Sequence, residues 1–136
     1  MKTFKGLRNG LSAVLTSTLA MSFLGYSFVL PDMIGGNAYG GMFPDYELFI
    51  RWTQLNAFLP SMQFSIPPWV YDNKTSVPVN DICRRYVTIH EEIVFPLLVK
   101  YGAKTMTIGE PITRSLWWLD NCKENLLFIF LKLYFY

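Results

Sequence analysis

The sequence is poor in the residues that build metal centres and covalent frameworks. It has two cysteines, Cys83 and Cys122, and one histidine, His90, in 136 residues. Two cysteines cannot make a disulfide framework or a four-ligand zinc site, and one histidine excludes a centre built from several imidazoles. Charge is scarce as well: charged residues are 16%, and twelve Lys+Arg against ten Asp+Glu leave +2. The basic residues are scattered and form no stripe, so nucleic acid is not an expected partner. Disorder is excluded from the other side, because 51% of residues are hydrophobic and 17% aromatic. That apolar surface needs a core, a partner or a membrane.

The length allows one domain at most. Lys2, Lys5 and Arg8 precede an uncharged run from Leu11 to Leu30, a pattern that imitates a signal peptide or anchor. Six of those twenty residues are Ser or Thr, and Gly25 interrupts them. Leu7, Leu11, Leu15, Leu19 and Phe23 recur every four residues, which predicts one apolar face of a buried helix. Gly25 then fits the helix end, and Tyr26 to Leu30 reads as a short strand. On residue pattern alone, targeting segment and helix–strand unit both stand.

Pro31-Asp32 closes that strand, and Gly35, Gly36, Gly40 and Gly41 make the next stretch a turn-rich loop. Their spacing is neither GxGxxG nor a Walker loop with its lysine, so phosphate binding is unsupported and no cofactor is expected. Asp45 is a candidate N-cap for a helix reaching Phe58, with Leu48, Trp52 and Leu55 as its buried stripe. Glu47 and Arg51 lie four apart in the favourable order and read as a solvated pair. Ser61 to Ser65 reads as a second strand, followed by the stiff exit Ile66-Pro67-Pro68-Trp69.

Asn73-Lys74-Thr75 is a glycosylation sequon of small weight by itself. Val79 to Tyr101 is the longest helical pattern, with Ile82, Tyr86, Ile89, Ile93 and Leu97 at helical spacing and a kink expected at Pro96. His90-Glu91-Glu92 resembles half of a zincin motif without its second histidine, so zinc is rejected and His90 is an ordinary helix residue. Pro111 to Leu119 looks strand-like, and Leu126 to Tyr136 is an apolar stretch with one charge. Eleven such residues are too few to span a bilayer as a helix.

Strand–helix alternation marks parallel α/β architecture. Two strands cannot cover or close a parallel sheet, and a complete (β/α)8 barrel needs about 250 residues. The pattern is therefore expected to be a fragment.

Several ordered motifs resemble glycoside hydrolase family 31, the retaining α-glycosidases. Asp32-Met33-Ile34-Gly35-Gly36 is similar to the family's D-x-x-G-G/F turn after the seventh barrel strand. Glu47-Leu48-Phe49-Ile50-Arg51-Trp52-Thr53-Gln54-Leu55-Asn56-Ala57-Phe58-Leu59-Pro60 is similar to its E-L-x-x-R-W-x-Q-x-x-A-F-x-P helix. Arg84 to Tyr101, with Pro96, resembles the eighth barrel helix, and Gly109 to Trp118 resembles the start of the C-terminal β-domain. The likeness covers about Phe4 to Asp120, and its detail is closest to a branch linked to α-galactosides.

The resemblance implies a partial (β/α)8 barrel, running from its sixth to its eighth helix, plus the first strand of a β-domain. It implies a barrel part at 1–104, a β-domain start at 105–121 and a divergent tail at 122–136 that looks out of frame. It implies hydrolysis of O-glycosyl bonds in a carbohydrate substrate, with Asp32, Gly35, Gly36, Gln63 and Ser65 lining a sugar subsite and Trp69 more often packed than stacked on sugar. It places both catalytic aspartates outside this chain, so the chain alone is expected to be inactive. It makes Leu7 to Leu24 a barrel helix, makes a membrane an unexpected partner, and suggests the secretory pathway. The chain should turn back at Gly25 and bring Asp32 alongside Ser65. The rival readings are a non-catalytic sugar-binding or regulatory fragment and a small protein anchored by Leu11–Leu30.

Overall fold

The computed structural model describes residues 10–115. Its elements, in order, are α1 (Leu11–Phe23), a 3-10 turn at Tyr39–Gly41, α2 (Tyr46–Asn56), a second 3-10 turn at Pro68–Tyr71, α3 (Val79–Ile89), a π turn at His90–Val94, and α4 (Phe95–Ile108).

α1 stops where its glycine dictates. Gly25 adopts φ +98°, its N–H donates to the Ser22 carbonyl at 3.1 Å, and the Tyr26 N–H donates to the Met21 carbonyl at 3.0 Å. This pair of bonds around a left-handed residue is the Schellman motif, and glycine adopts that conformation without a Cβ clash. No helix among the described residues is long and apolar enough to cross a membrane. The face of α1 that packs differs from the expected leucine row. Thr18 and Ser22 are buried, Leu11, Leu15 and Leu19 are half-buried, and Phe23 is exposed. Apolar residues lie nearly all round this helix, so its small side chains allow the closest approach; the Thr18 hydroxyl satisfies itself on the Val14 carbonyl at 2.8 Å.

Neither expected strand forms, and the described residues are mostly helical. The stretches 26–30 and 61–65 form no ladder with each other. One parallel bridge, Ile34 to Phe64, is the sole sheet-like pairing among the described residues. A strand requires a hydrogen-bonded neighbour along its length, and these two segments meet only at their downstream ends. The first still alternates like a strand: Tyr26, Phe28 and Leu30 are exposed while Ser27 and Pro31 are buried. Residues 111–115 are likewise irregular. The rest of that expected strand, Trp117, Trp118, Cys122 and the apolar tail lie outside the described residues.

The core sits between α2, α3 and the two bridged segments. It comprises Ile34, Phe49, Trp52, Ile66, Tyr71, Val79 and Cys83, none more than 3% exposed. Phe49 is at its centre, with its ring 4.9 Å from that of Tyr71 and 6.0 Å from that of Phe64. The expected stripe on α2 was therefore one residue out: Leu48 is only half-buried, whereas Trp52 and Leu55 are buried as expected. Asp45 caps α2, its Oδ1 accepting from the Leu48 N–H at 2.9 Å. Glu47 and Arg51 pair at 2.8 Å on the exposed side.

The long helix changes pitch before its proline. The Phe95 N–H bonds the His90 carbonyl five residues back, giving the wider π turn that accommodates a residue lacking an N–H and clashing with the preceding turn. α4 then runs beyond the expected end at Tyr101 to Ile108, where Gly109 at φ +73° closes it. Gly102 lies within α4, and a Cβ there would sit 3.5 Å from the Phe28 ring. Of the expected row, Ile82, Tyr86 and Ile89 are half-buried, whereas Ile93 and Leu97 are exposed.

Candidate functional site

The bridge brings the glycine turn after Asp32 beside the segment that carries Gln63 and Ser65. The Ile34 N–H donates to the Gln63 carbonyl at 2.8 Å, and the Ser65 N–H donates to the Ile34 carbonyl at 3.0 Å. The Ser65 hydroxyl adds a third bond, donating to that same carbonyl at 3.0 Å. Its oxygen lone pairs remain available as acceptors. These bonds seat the turn that follows Asp32 directly against the segment that carries Gln63 and Ser65.

The turn itself explains both glycines. The Gly36 N–H closes it on the Met33 carbonyl at 2.9 Å. Gly35, its third residue, has φ +103°, and Gly36 has φ +64°. A positive φ at the third position is the mark of a type II turn and favours glycine. Space forbids a side chain as well: a Cβ on Gly35 would lie 2.7 Å from Ser65 Oγ and 2.9 Å from Ile66 Cδ1. Both glycines are buried, whereas Asp32, Gln63 and Ser65 are exposed.

Asp32 is held by its backbone. Its Oδ1 accepts from the Met33 N–H at 3.0 Å, and the side chain is exposed. Its carbonyl accepts from the Asn56 side-chain Nδ2 at 3.0 Å, across 24 residues of sequence. Asn56 is fully buried. The sequence reading passed over it, yet a signal existed: Asn56 follows Trp52 by four positions and so shares the buried face of α2. An amide on a buried face needs a hydrogen-bond partner.

The remaining chemically capable groups serve the scaffold. His90 Nδ1 lies 2.9 Å from the Ala57 carbonyl; a carbonyl only accepts, so the proton sits on Nδ1 and the ring ties the helix to the end of α2. The Tyr71 hydroxyl donates to the Pro44 carbonyl at 2.8 Å. Burial pushes its pKa up to about 12, with the nearby Asp45 and Cys83 adding smaller contributions. Burial also raises the Cys83 thiol, against a lowering from its contact with the Thr53 hydroxyl, so the thiolate that would make it a nucleophile is disfavoured. No group of three or more His, Cys, Asp or Glu that could hold a metal exists among the described residues.

Two features lie off the bridge. Trp69, expected to be packed, is 63% exposed; Pro67-Pro68 stiffens its approach and the 3-10 turn carries it outward on the surface. A groove of about 420 Å³ runs between Phe58, Pro60, the Ile93–Tyr101 stretch and Ile112–Arg114. It shares no residue with the bridge site, its walls are mainly apolar, and its Arg114 is already paired with Glu110 at 2.7 Å.

Comparison with known proteins agrees with the motifs. No family model matches the sequence. The chain is 44% identical over 116 residues to the SITS-binding protein of Tetronarce californica, and 42% identical over 124 residues to the myogenesis-regulating glycosidase of Mus musculus. It is 28% identical over 128 residues to the 1,3-alpha-isomaltosidase of Kribbella flavida. These alignments take in 84–85% of this chain but 16–17% of each relative, so the chain spans about a sixth of the length of the relatives it matches. The chain is thus similar over most of its length to proteins named as glycosidases, in agreement with the family 31 resemblance of its motifs.

Proposed function

We propose that this chain is part of the catalytic domain of a retaining α-glycosidase that hydrolyses O-glycosyl bonds, and that Asp32, Gly35, Gly36, Gln63 and Ser65 line one of its sugar-binding subsites. The observation that carries the reading is the bridge between Ile34 and Phe64. It seats the turn after Asp32 against the segment that carries Gln63 and Ser65. A carboxylate, an amide and a hydroxyl are the donors and acceptors that sugar hydroxyls pair with. The two glycines let the turn close tightly against Ser65 and Ile66, which fixes the junction.

In this reading α1, α2 and the α3–α4 pair are the sixth, seventh and eighth helices of a (β/α)8 barrel. The segments around Asp32 and Ser65 are then the C-terminal ends of its seventh and eighth strands, the face at which such barrels bind substrate. The division that goes with this reading is a barrel part at 1–104, a β-domain start at 105–121 and a divergent tail at 122–136.

Retaining hydrolysis uses two carboxyl groups about 5–5.5 Å apart, one attacking the anomeric carbon and one protonating the leaving oxygen and then activating water. Asp32 is the one carboxylate of the candidate set, and it serves binding. The reactive pair comes from polypeptide outside these residues. The name of one relative, the 1,3-alpha-isomaltosidase, supports an α-glycoside, and the motif detail favours an α-galactoside.

The test is kinetic. An Asp32→Asn change in a polypeptide carrying this segment together with both reactive carboxylates should lower kcat/KM on an aryl α-galactoside by about tenfold or more. The 136-residue chain alone should release no aryl alcohol. Unchanged kcat/KM would remove Asp32 from the subsite, and turnover by the chain alone would overturn the view that the reactive carboxylates lie elsewhere.

A further inference from the structure

We infer that Asn56 is the positioning residue of this subsite: its buried amide holds the Asp32 turn in the geometry that presents the carboxylate. The inference rests on the sugar-binding reading of Asp32. No motif marks Asn56, and it is buried beneath the exposed Asp32.

Three observations converge on it. Asn56 is fully buried, yet its amide spends its donor on a residue that is itself exposed, the carbonyl of Asp32 at 3.0 Å. Asn56 Oδ1 has no hydrogen-bond partner among the described residues. A buried amide with one half unsatisfied is a net stability cost, so bulk stability does not account for an asparagine here; an apolar side chain would fill the same volume without that cost. What the amide alone supplies is a fixed donor beneath Asp32.

That donor controls a lever. Asp32 is two residues ahead of Ile34, whose N–H and carbonyl make the bridge to Gln63 and Ser65. The turn is therefore pinned at two points, by the bridge on one side and by Asn56 on the other. With both pins in place, the peptide of Asp32 cannot rotate, and Oδ1 stays on the Met33 N–H at 3.0 Å. With the second pin gone, the Asp32 peptide can turn toward water while the core around Phe49 stays closed. Asn56 belongs to α2, so the packing of Phe49 and Trp52 sets the position of the pin.

The experiment is a double-mutant cycle on the full chain, at a temperature where circular dichroism shows its helices folded. Asn56→Leu fills the volume without a donor, and Asn56→Ala removes the donor along with the volume. Either serves if the other fails to fold. Amide hydrogen exchange is read at Ile34 and Gly36, and binding of methyl α-galactoside is read by titration in the same samples. Loss of the pin should speed exchange at those two amides by about tenfold, the effect of a hydrogen bond worth about 1.4 kcal/mol, while amides within α2 are unchanged. Sugar binding should weaken by a similar factor, and that weakening should vanish in an Asp32→Ala background, because Asn56 acts through Asp32. Unchanged exchange at Ile34 and Gly36 in either folded variant overturns the inference, and so does equal weakening with and without Asp32. Faster exchange in a chain that binds no sugar supports the pin and instead overturns the sugar reading of Asp32.

Discussion

Two regions of this molecule treat apolar side chains in opposite ways. Around the bridge, Ile34, Phe49 and Val79 are completely buried, and every turn there is closed by named hydrogen bonds. Along the stretch from Met21 to Leu30, and again along α4, comparable side chains face outward: Leu24 is 71% exposed, Phe28 63% and Met106 82%. The difference is one of neighbours and not of composition. The bridged segments share one buried cluster with α2 and α3, whereas the outer rows contribute no residue to it.

That contrast can be broken from the inside first. Phe49→Ala should cost about 3–5 kcal/mol, since it empties the centre of the core beneath both bridged segments; chemical denaturation reads it as a lower midpoint. A loss below about 1 kcal/mol would mean that the core does not support the bridge.

Smaller effects sharpen the comparison. Gly35→Val should destabilise by about 1–3 kcal/mol, because a β-branched residue resists positive φ and its Cβ meets Ser65 and Ile66. Asp45→Ala should cost about 1 kcal/mol through the lost N-cap of α2. Leu24→Ser, on the exposed row, should stay within about 0.5 kcal/mol of wild type.

Two titrations separate the regions by pH. Tyr71 titrates at about 12 in the folded chain against 10.0 for an ordinary phenol. A folded pKa raised in this way gives stability that is complete below pH 10 and is lost as pH rises toward about 12. Tyr71→Phe should flatten that limb of the pH–stability profile. Glu110, at the outer end of α4, moves the other way. Its hydrogen bond from Lys104 lowers its pKa below 4.5; burial opposes this, and the charges of Lys104 and Arg114 add to the lowering. The clamp it makes with Lys104 at 2.9 Å and Arg114 at 2.7 Å is present above that value and loosens as pH falls below it. Glu110→Gln should remove this acid-side dependence and leave the Tyr71 limb unchanged.

How much of this could be read from the chain itself follows the same division. Asp45, Gly25 and the Glu47–Arg51 pair were legible because each acts within one turn of helix, where spacing fixes geometry. The family was legible because its motifs keep residue types in order. The meeting of Asp32 with Ser65 followed from placing their segments side by side. Strand character failed at 26–30 and 61–65, where side-chain alternation is present but a ladder partner along the segment is not. The π turn ahead of Pro96 was foreseen only as a kink, because pattern locates a disturbance without giving its pitch. Trp69 was misjudged because nothing local distinguishes a packed indole from an exposed one. Asn56 was missed because its partner lies 24 residues away in sequence.

The most direct measurement is a titration of the folded 136-residue chain with methyl α-galactoside, following the amide resonances of Gly35, Gly36 and Ser65. The account predicts saturable shifts centred on those three amides and their loss in Asp32→Asn. Shifts confined to the groove lined by Phe58, Leu97 and Tyr101, or no saturable shift at the bridge, would contradict it.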